Sequence, residues 1–253
     1  MTVLNKYPRQ TKSRNKIFFE KKELTNLDWC KWAGWCDTDI NFERIYYRVV
    51  FRLRDRQPVE LFSKIFETSL RYIEHETITP EPYRKEYICK EYAGALTGEK
   101  GKWFTENVYP FLLDQKKKNY AARLLGYRPE SKNFSDWTPD ELTRYLATAL
   151  DGDGSFNLYL GKNVTSIRAI LCSSDIQYLS DIKYLAEKKL GIIFKIAEAT
   201  TYMTQKGERT SYQLYMDGGR KHPMHQGFFQ SLVRDGVMTL DRKKQRVQRF
   251  VNY

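Results

Sequence analysis

Residues 146–156 read LATALDGDGSF, so an apolar run with small residues at Ala147, Thr148 and Ala149 stops in two carboxylates, Asp151 and Asp153, that flank Gly152. Residues 32–42 read WAGWCDTDINF and set Asp37 and Asp39 in the same register, 114 residues upstream. A helix C-terminus already carries partial negative charge, so carboxylates gathered there call for cations nearby. Hard carboxylate oxygens suit Mg²⁺ or Mn²⁺, and such a metal pair activates water and stabilises the leaving oxygen of a phosphodiester.

The elements that must position these acids are readable around them. Thr138, Pro139 and Glu141 form a capping box that starts a helix running to Asp151, and Thr25 with Asp28 gives a weaker version before Trp29, Trp32, Ala33, Gly34 and Trp35. Helices that cross closely need small residues at the contact, which Ala33 and Gly34 in one and Ala147, Thr148 and Ala149 in the other supply. Their ends would then meet and bring Asp39 beside Asp153.

Strand-like sequence follows each motif. In IYYRVVFRLRDR, residues 45–56, alternation predicts Ile45, Tyr47, Val49, Phe51 and Leu53 on an apolar face and Arg48, Arg52, Arg54 and Arg56 on the other. Residues 156–175 predict a hairpin broken at Gly161 to Asn163, with Arg168 on its second strand, and residues 202–212, YMTQKGERTSY, predict a long hairpin turn. Helical sequence follows at 59–70 and 176–191. Each half closes alike, Leu113-Asp114-Gln115-Lys116-Lys117-Lys118 matching Leu240-Asp241-Arg242-Lys243-Lys244-Gln245, so Lys116 and Lys243 lie 127 residues apart and loops absorb a difference of 13. The predicted organisation is a basic extension over 1–24, a first half over 25–125, a linker over 126–137 and a second half over 138–253. Strands that come as hairpins with helices on one face predict an α+β fold with antiparallel sheets.

Composition narrows the partners. The 253 residues carry 43 Lys and Arg against 31 Asp and Glu, a formal charge of +12 spread along the chain, which points to a polyanion. No apolar stretch approaches the roughly 20 residues that span a bilayer, so nucleic acid is preferred over a membrane. Cys30, Cys36, Cys89 and Cys172 lack paired spacing, which predicts free thiols in a reducing intracellular compartment and no zinc site. His222-Pro223-Met224-His225 reads as a polar loop.

LATALDGDGSF and the diverged WAGWCDTDINF, with basic strands after each and the closing lysines, resemble the LAGLIDADG homing endonucleases in their single-chain, two-repeat form. The resemblance implies two pseudo-symmetric αββαββα repeats whose antiparallel sheets form a DNA-binding saddle, with the motif helices at the central interface. It makes Asp39 and Asp153 the metal-binding catalytic acids and leaves Asp37 and Asp151 to brace the helix ends. The carbonyls of Thr38 and Gly152 add metal ligands, and Lys116 and Lys243 are the expected basic catalytic residues, with Gln115 and Arg242 as alternatives if the register shifts by one. The first motif departs from the pattern at Thr38 and at Ile40, which stands where the family has glycine. The DNA-contacting residues expected on the sheets are Arg48, Arg52, Arg54, Arg56, Lys162, Arg168, Lys195 and Arg209. The implied activity is hydrolysis of both strands of a long non-palindromic DNA site by a monomer using Mg²⁺ or Mn²⁺; the rivals are an intron-RNA-binding splicing cofactor and a cleavage-inactive DNA-binding protein on the same fold.

Overall fold

In the computed structural model, which describes residues 23–78, 86–161, 165–204, 207–219, 223–234 and 237–252, both motif helices begin at the predicted caps. Helix α1 spans Asn26–Thr38, with Thr25 Oγ1 accepting from Asp28 N at 3.3 Å and Asp28 accepting from Thr25 N at 3.0 Å. Helix α5 spans Pro139–Gly152, and the reciprocal Thr138–Glu141 bonds are 3.2 and 2.8 Å. Each box satisfies two amides that a helix start otherwise leaves unpaired.

From the end of α1 the chain enters β1 (Ile40–Glu43) and β2 (Arg48–Leu53), crosses α2 (Arg56–Ile65), makes β3 (Arg71–Ile78) and β4 (Glu86–Leu96), and closes with α3 (Glu99–Val108) and α4 (Gln115–Leu125). The second half repeats this order with β5 (Gly154–Leu160), β6 (Thr165–Ser173), α6 (Ile176–Leu190), β7 (Lys195–Thr204), β8 (Gly207–Gly219), α7 (Pro223–Leu232) and α8 (Asp241–Val251). The sheets are antiparallel, ordered β1-β2-β4-β3 and β5-β6-β8-β7, and each half ends in two helices. The protein is α+β, two four-stranded antiparallel sheets under paired helices.

α1 and α5 cross where Gly34 meets Thr148. A Cβ on Gly34 would overlap Thr148 Oγ1 and the Tyr145 carbonyl and stand 3.0 Å from Ala149 N, so only glycine permits this approach. Thr148 Oγ1 donates across the interface to the Lys31 carbonyl at 2.8 Å. Behind the crossing, Trp29, Trp32 and Trp35 are buried against Phe51, Phe62, Phe66 and Phe104, mostly edge to face; Trp32 and Phe62 centroids lie 5.4 Å apart at 74°. That geometry suits the aromatic quadrupole.

Three local predictions are corrected. Residues 45–47 are a 3₁₀ turn, not strand, and Ile45 and Tyr46 are 72% and 79% exposed. Tyr46 and Tyr47 have φ of 61° and 48°; the turn is held by Gly98 N, which donates to the Tyr46 carbonyl at 2.8 Å, and by the missing side chain of Gly101, against which the Tyr47 carbonyl packs. The strand therefore starts at Arg48 and ends at Leu53, leaving Arg54 in a bend and Arg56 as the first residue of α2. YMTQKGERTSY is mostly the paired ends of β7 and β8, with Thr204 opposite Gly207. Of the HPMH segment expected as a polar loop, His222 lies outside the described residues, while Pro223 opens α7 and buried His225 is satisfied, its Nδ1 2.6 Å from the Asp217 carbonyl.

Candidate active site

Asp39 and Asp153 are the residues that end α1 and α5. The helix ends touch: a Cβ on Gly152 would overlap Thr38 Oγ1 and Asp39 Oδ2. Burial, and next the charge of Asp153, push the Asp39 carboxyl up to about 6, and burial raises Asp153 as well. Asp39 Oδ2 is buried without a hydrogen-bond partner. A buried carboxylate oxygen left unpaired beside a second carboxylate is the donor set a hard divalent cation fits. Among the described residues no three His, Cys, Asp or Glu side chains converge, so the remaining ligands of such a cation would be carbonyls, water or substrate. The Gly152 carbonyl already accepts from Lys243 Nζ at 3.0 Å, and Thr38 O lies 3.5 Å from Lys117 Nζ.

The inner acids face the other way. Asp37 is 6% exposed, and its Oδ2 accepts from Leu113 N at 2.7 Å, Asp114 N at 3.3 Å and the Tyr145 hydroxyl at 2.5 Å. Asp151 Oδ2 accepts from Thr239 N at 2.5 Å and Leu240 N at 3.2 Å. Burial lifts these carboxyls to about 7 and about 6, against the pull of the bonds they accept. Each inner acid thus fixes where the following basic helix begins. Lys31, the α1 residue in the position Tyr145 holds in α5, lies in the field of Asp151.

That fixation resets the lysine register. Leu113 and Asp114 correspond to Thr239 and Leu240 through the acids that hold them, so the counterpart of Lys243 is Lys117, not Lys116. Lys117 Nζ donates to the Ile40 carbonyl at 2.7 Å and lowers the Asp39 carboxyl, whereas exposed Lys116 lies 6.0 Å over the Tyr120 ring. Lys243, 5% exposed, donates to the carbonyls of Leu150, Asp151, Gly152 and Gly154, and burial brings its ammonium down to about 8. The alternatives fall away from the centre: Gln115 bonds Asn119 at 3.2 Å and Arg242 forks onto Asp55 of the first half at 2.9 and 3.2 Å. Lys117→Met is expected to cost about 1–2 kcal/mol in urea denaturation, since it strands carbonyls at the α1 end, while Lys116→Met stays within about 0.5 kcal/mol.

The sheet residues scatter more. Arg48 pairs with Glu43 at 3.2 Å, Arg52 with Glu91 at 3.8 Å and Arg56 with Glu60 at 3.1 Å. Arg168 is bound by Asp217 at 2.6 Å and lies 5.0 Å over the Tyr215 ring. Exposed Lys195 opens β7, exposed Arg209 sits on β8 opposite Tyr202, and Lys162 lies outside the described residues. Arg54 and Arg56 therefore leave the strand face on which alternation set them. Sequence reasoning missed Cys172, a half-buried thiol raised by burial and by the nearby Asp153 charge. Cys30, Cys36 and Cys89 are buried, and all four thiols are free.

The LAGLIDADG homing endonuclease I-GzeII, solved in complex with its DNA target, superposes with a TM-score of 0.50 at 12% identity over 88% of this chain and 88% of that one. The chain has the LAGLIDADG endonuclease fold. Two further structures carry it at lower scores: I-WcaI bound to its DNA recognition sequence (TM-score 0.48, 13% identity, 90% of this chain and 88% of that one) and the N-terminal LAGLIDADG domain of DUF199/WhiA (0.44, 10%, 82% of each). No family model and no curated protein matches the sequence. The LAGLIDADG fold accounts for the paired motif helices between two sheets. No described helix is long and apolar enough to cross a membrane.

Proposed function

We propose that the protein is a metal-dependent, site-specific double-strand DNA endonuclease. The observation that carries this reading is the meeting of Asp39 and Asp153 at touching helix ends, with one carboxylate oxygen buried and unpaired. A cation held by Asp39 and Asp153, Mg²⁺ or Mn²⁺, would supply Lewis acidity toward a phosphodiester and a water acidic enough to attack it.

The chain's own residues do the rest. Gly34 and Gly152 let the helix ends come together, which sets the two carboxylates side by side. Lys117 and Lys243 keep positive charge beside them and lower both carboxyls toward the ionised form. The sheets present arginines, Arg48 and Arg52 on β2 and Arg168 on β6, to phosphates and base edges, and antiparallel ribbons of this kind fit the major groove. Halves of unlike sequence read unlike half-sites, so the target is non-palindromic. The net charge of +12 makes affinity steeply salt-dependent. DNA-bound I-GzeII supports the choice of duplex DNA as partner.

A binding-only role, on DNA or on intron RNA, is favoured by one observation: Lys243 occupies the Gly152 carbonyl expected to ligate metal. The test is selection from random duplex DNA in Mg²⁺ with sequencing of cleaved ends, alongside binding in Ca²⁺. One long asymmetric site cut on both strands is the expected result; bound but intact DNA in Mg²⁺ would decide for the binding-only role.

A further inference from the structure

Both halves set an arginine on the same rung of the sheet, but they do not hold it in the same way. On β6 Ile167, Ala169 and Leu171 are buried in the core, so Arg168 alternates onto the opposite face. Asp217 lies directly across from it on β8, and Tyr215, paired with Ile170, lies on the diagonal of the same face. Arg168 Nε donates to Asp217 Oδ1 at 2.6 Å and Nη2 to Oδ2 at 3.2 Å, while the guanidinium carbon stands 5.0 Å from the centroid of the Tyr215 ring. Asp217 is fixed in turn through its carbonyl, 2.6 Å from Nδ1 of buried His225. This side-on pair uses two of the five guanidinium N–H groups. It leaves the other edge, Nη1 with the second N–H of Nη2, to an outside acceptor, on a side chain 44% exposed. In the first half Glu43 opposes Arg48 as Asn157 opposes Arg168, so the two arginines are counterparts. Arg48 is held by Glu43 through Nη1 alone, at 3.2 Å. Ala95, paired with Val50, takes the place of Tyr215, and Thr97 follows Leu96 where Asp217 follows Met216.

We propose that Arg168, braced by Asp217 and Tyr215, reads one guanine in the major groove, whereas Arg48, without that brace, contacts the other half-site with no such preference. Two parallel donors on a plane kept from rotating match O6 and N7 of guanine. The same fork also fits a phosphate, and Asp217 decides between them. A phosphate on those donors would bring its charge beside that of the carboxylate; the guanine edge is uncharged, and its cytosine partner offers an amino group that a carboxylate accepts. β6 runs between β5 and β8, so Arg168 rises from the interior of the ribbon and not from its rim. Its rung lies three residues along β5 from Gly154, roughly 10 Å of strand, so the guanine belongs to the inner part of its half-site. One base then fixes which half-site the second half of the protein occupies.

The inference rests on the duplex-DNA part of the proposed function and not on cleavage, so it is tested by binding in Ca²⁺. Duplexes retained from a random pool by the native protein are sequenced, and the preferred duplex is remade with each of the four base pairs at every inner position for anisotropy titrations at several salt concentrations. The native protein is expected to favour guanine at one inner position of one half-site by at least about tenfold, with the mirror position degenerate. Arg168→Gln moves the preference at that position from guanine to adenine, the base a glutamine fork matches, and leaves the other positions unchanged. Asp217→Ala removes a negative charge and binds every duplex at least as tightly, yet discriminates less at that one position because the fork is no longer held. Loss of affinity in Arg168→Gln that is equal on all sequences, with a shallower salt dependence, marks a phosphate contact and overturns the inference, as does a selected site without the guanine; both leave DNA binding intact. Retention of no duplex at all overturns the DNA reading, and the inference with it.

Discussion

Asp39→Asn is expected to leave the protein folded and able to bind its target in Ca²⁺ while cutting it at least about a thousandfold more slowly in Mg²⁺, on the order of 4 kcal/mol of barrier. Asp153→Asn behaves alike. Asn keeps the shape of the side chain but removes the charge that would hold a cation. The carboxyl of Asp39 stands at about 6 against 3.8 for the free side chain, burial first and Asp153 second. A folded value above the unfolded one means that this group's contribution to stability is full below about pH 4 and is lost as pH rises through 6. Without metal at pH 8, Asp39→Asn therefore melts no lower than the native protein, and a few degrees higher if the neighbouring Asp153 relaxes. Cation binding has the opposite sense: it weakens as pH drops, because protonated Asp39 no longer attracts a cation, and a bound cation in turn keeps the carboxyl ionised to lower pH than in the metal-free protein. Cleavage by Asp39→Asn at the native rate would remove Asp39 from the chemistry.

The second large effect lies at the helix crossing. Gly34→Ala is expected to destabilise the protein by about 3 kcal/mol or more, at the upper end of overpacking costs, because the added carbon meets the Tyr145 backbone and not merely a movable side chain. Relief would require α1 and α5 to separate, so whatever folded protein survives should also lose cleavage. Gly227→Ala is the control: a Cβ there meets nothing within 4 Å, and on an exposed turn of α7 it should add roughly 0.5–1 kcal/mol. Urea denaturation of the two variants checks both numbers; a Gly34→Ala cost below 1 kcal/mol would mean the helices are not tightly apposed.

What could be read from the chain were the features written in local sequence. Thr25 with Asp28 and Thr138 with Glu141 name their own helix starts, and Gly34 and Thr148 are small where the helices cross. The antiparallel sheets followed from paired strand-like runs. Period-two alternation misled at Ile45 and Tyr47, because a turn anchored by Gly98 and Gly101, more than fifty residues away, takes those residues out of the strand. The lysine register failed by one because LDQKKK and LDRKKQ look alike from Leu113 and Leu240, whereas the chain is aligned by amides that Asp37 and Asp151 receive. Tyr145 and Lys31 share a position 114 residues apart, but nothing in their identities announces that the tyrosine would bond Asp37 of the other motif helix. Salt bridges on the sheets, such as Arg168 with Asp217, depend on pairings that only the assembled register supplies.

The inner acids have a consequence for how such a chain can vary. Leu113 N lies 76 residues beyond Asp37 and Thr239 N 88 residues beyond Asp151, a difference of twelve, yet both amides dock on the same carboxylate oxygen in the same way. The intervening polypeptide is free to grow or shrink, as the longer β7–β8 hairpin shows, provided its final two peptide groups return to that anchor. Insertions acquired by either repeat then alter its outer reach while the ammonium group at the middle of the molecule stays where it was.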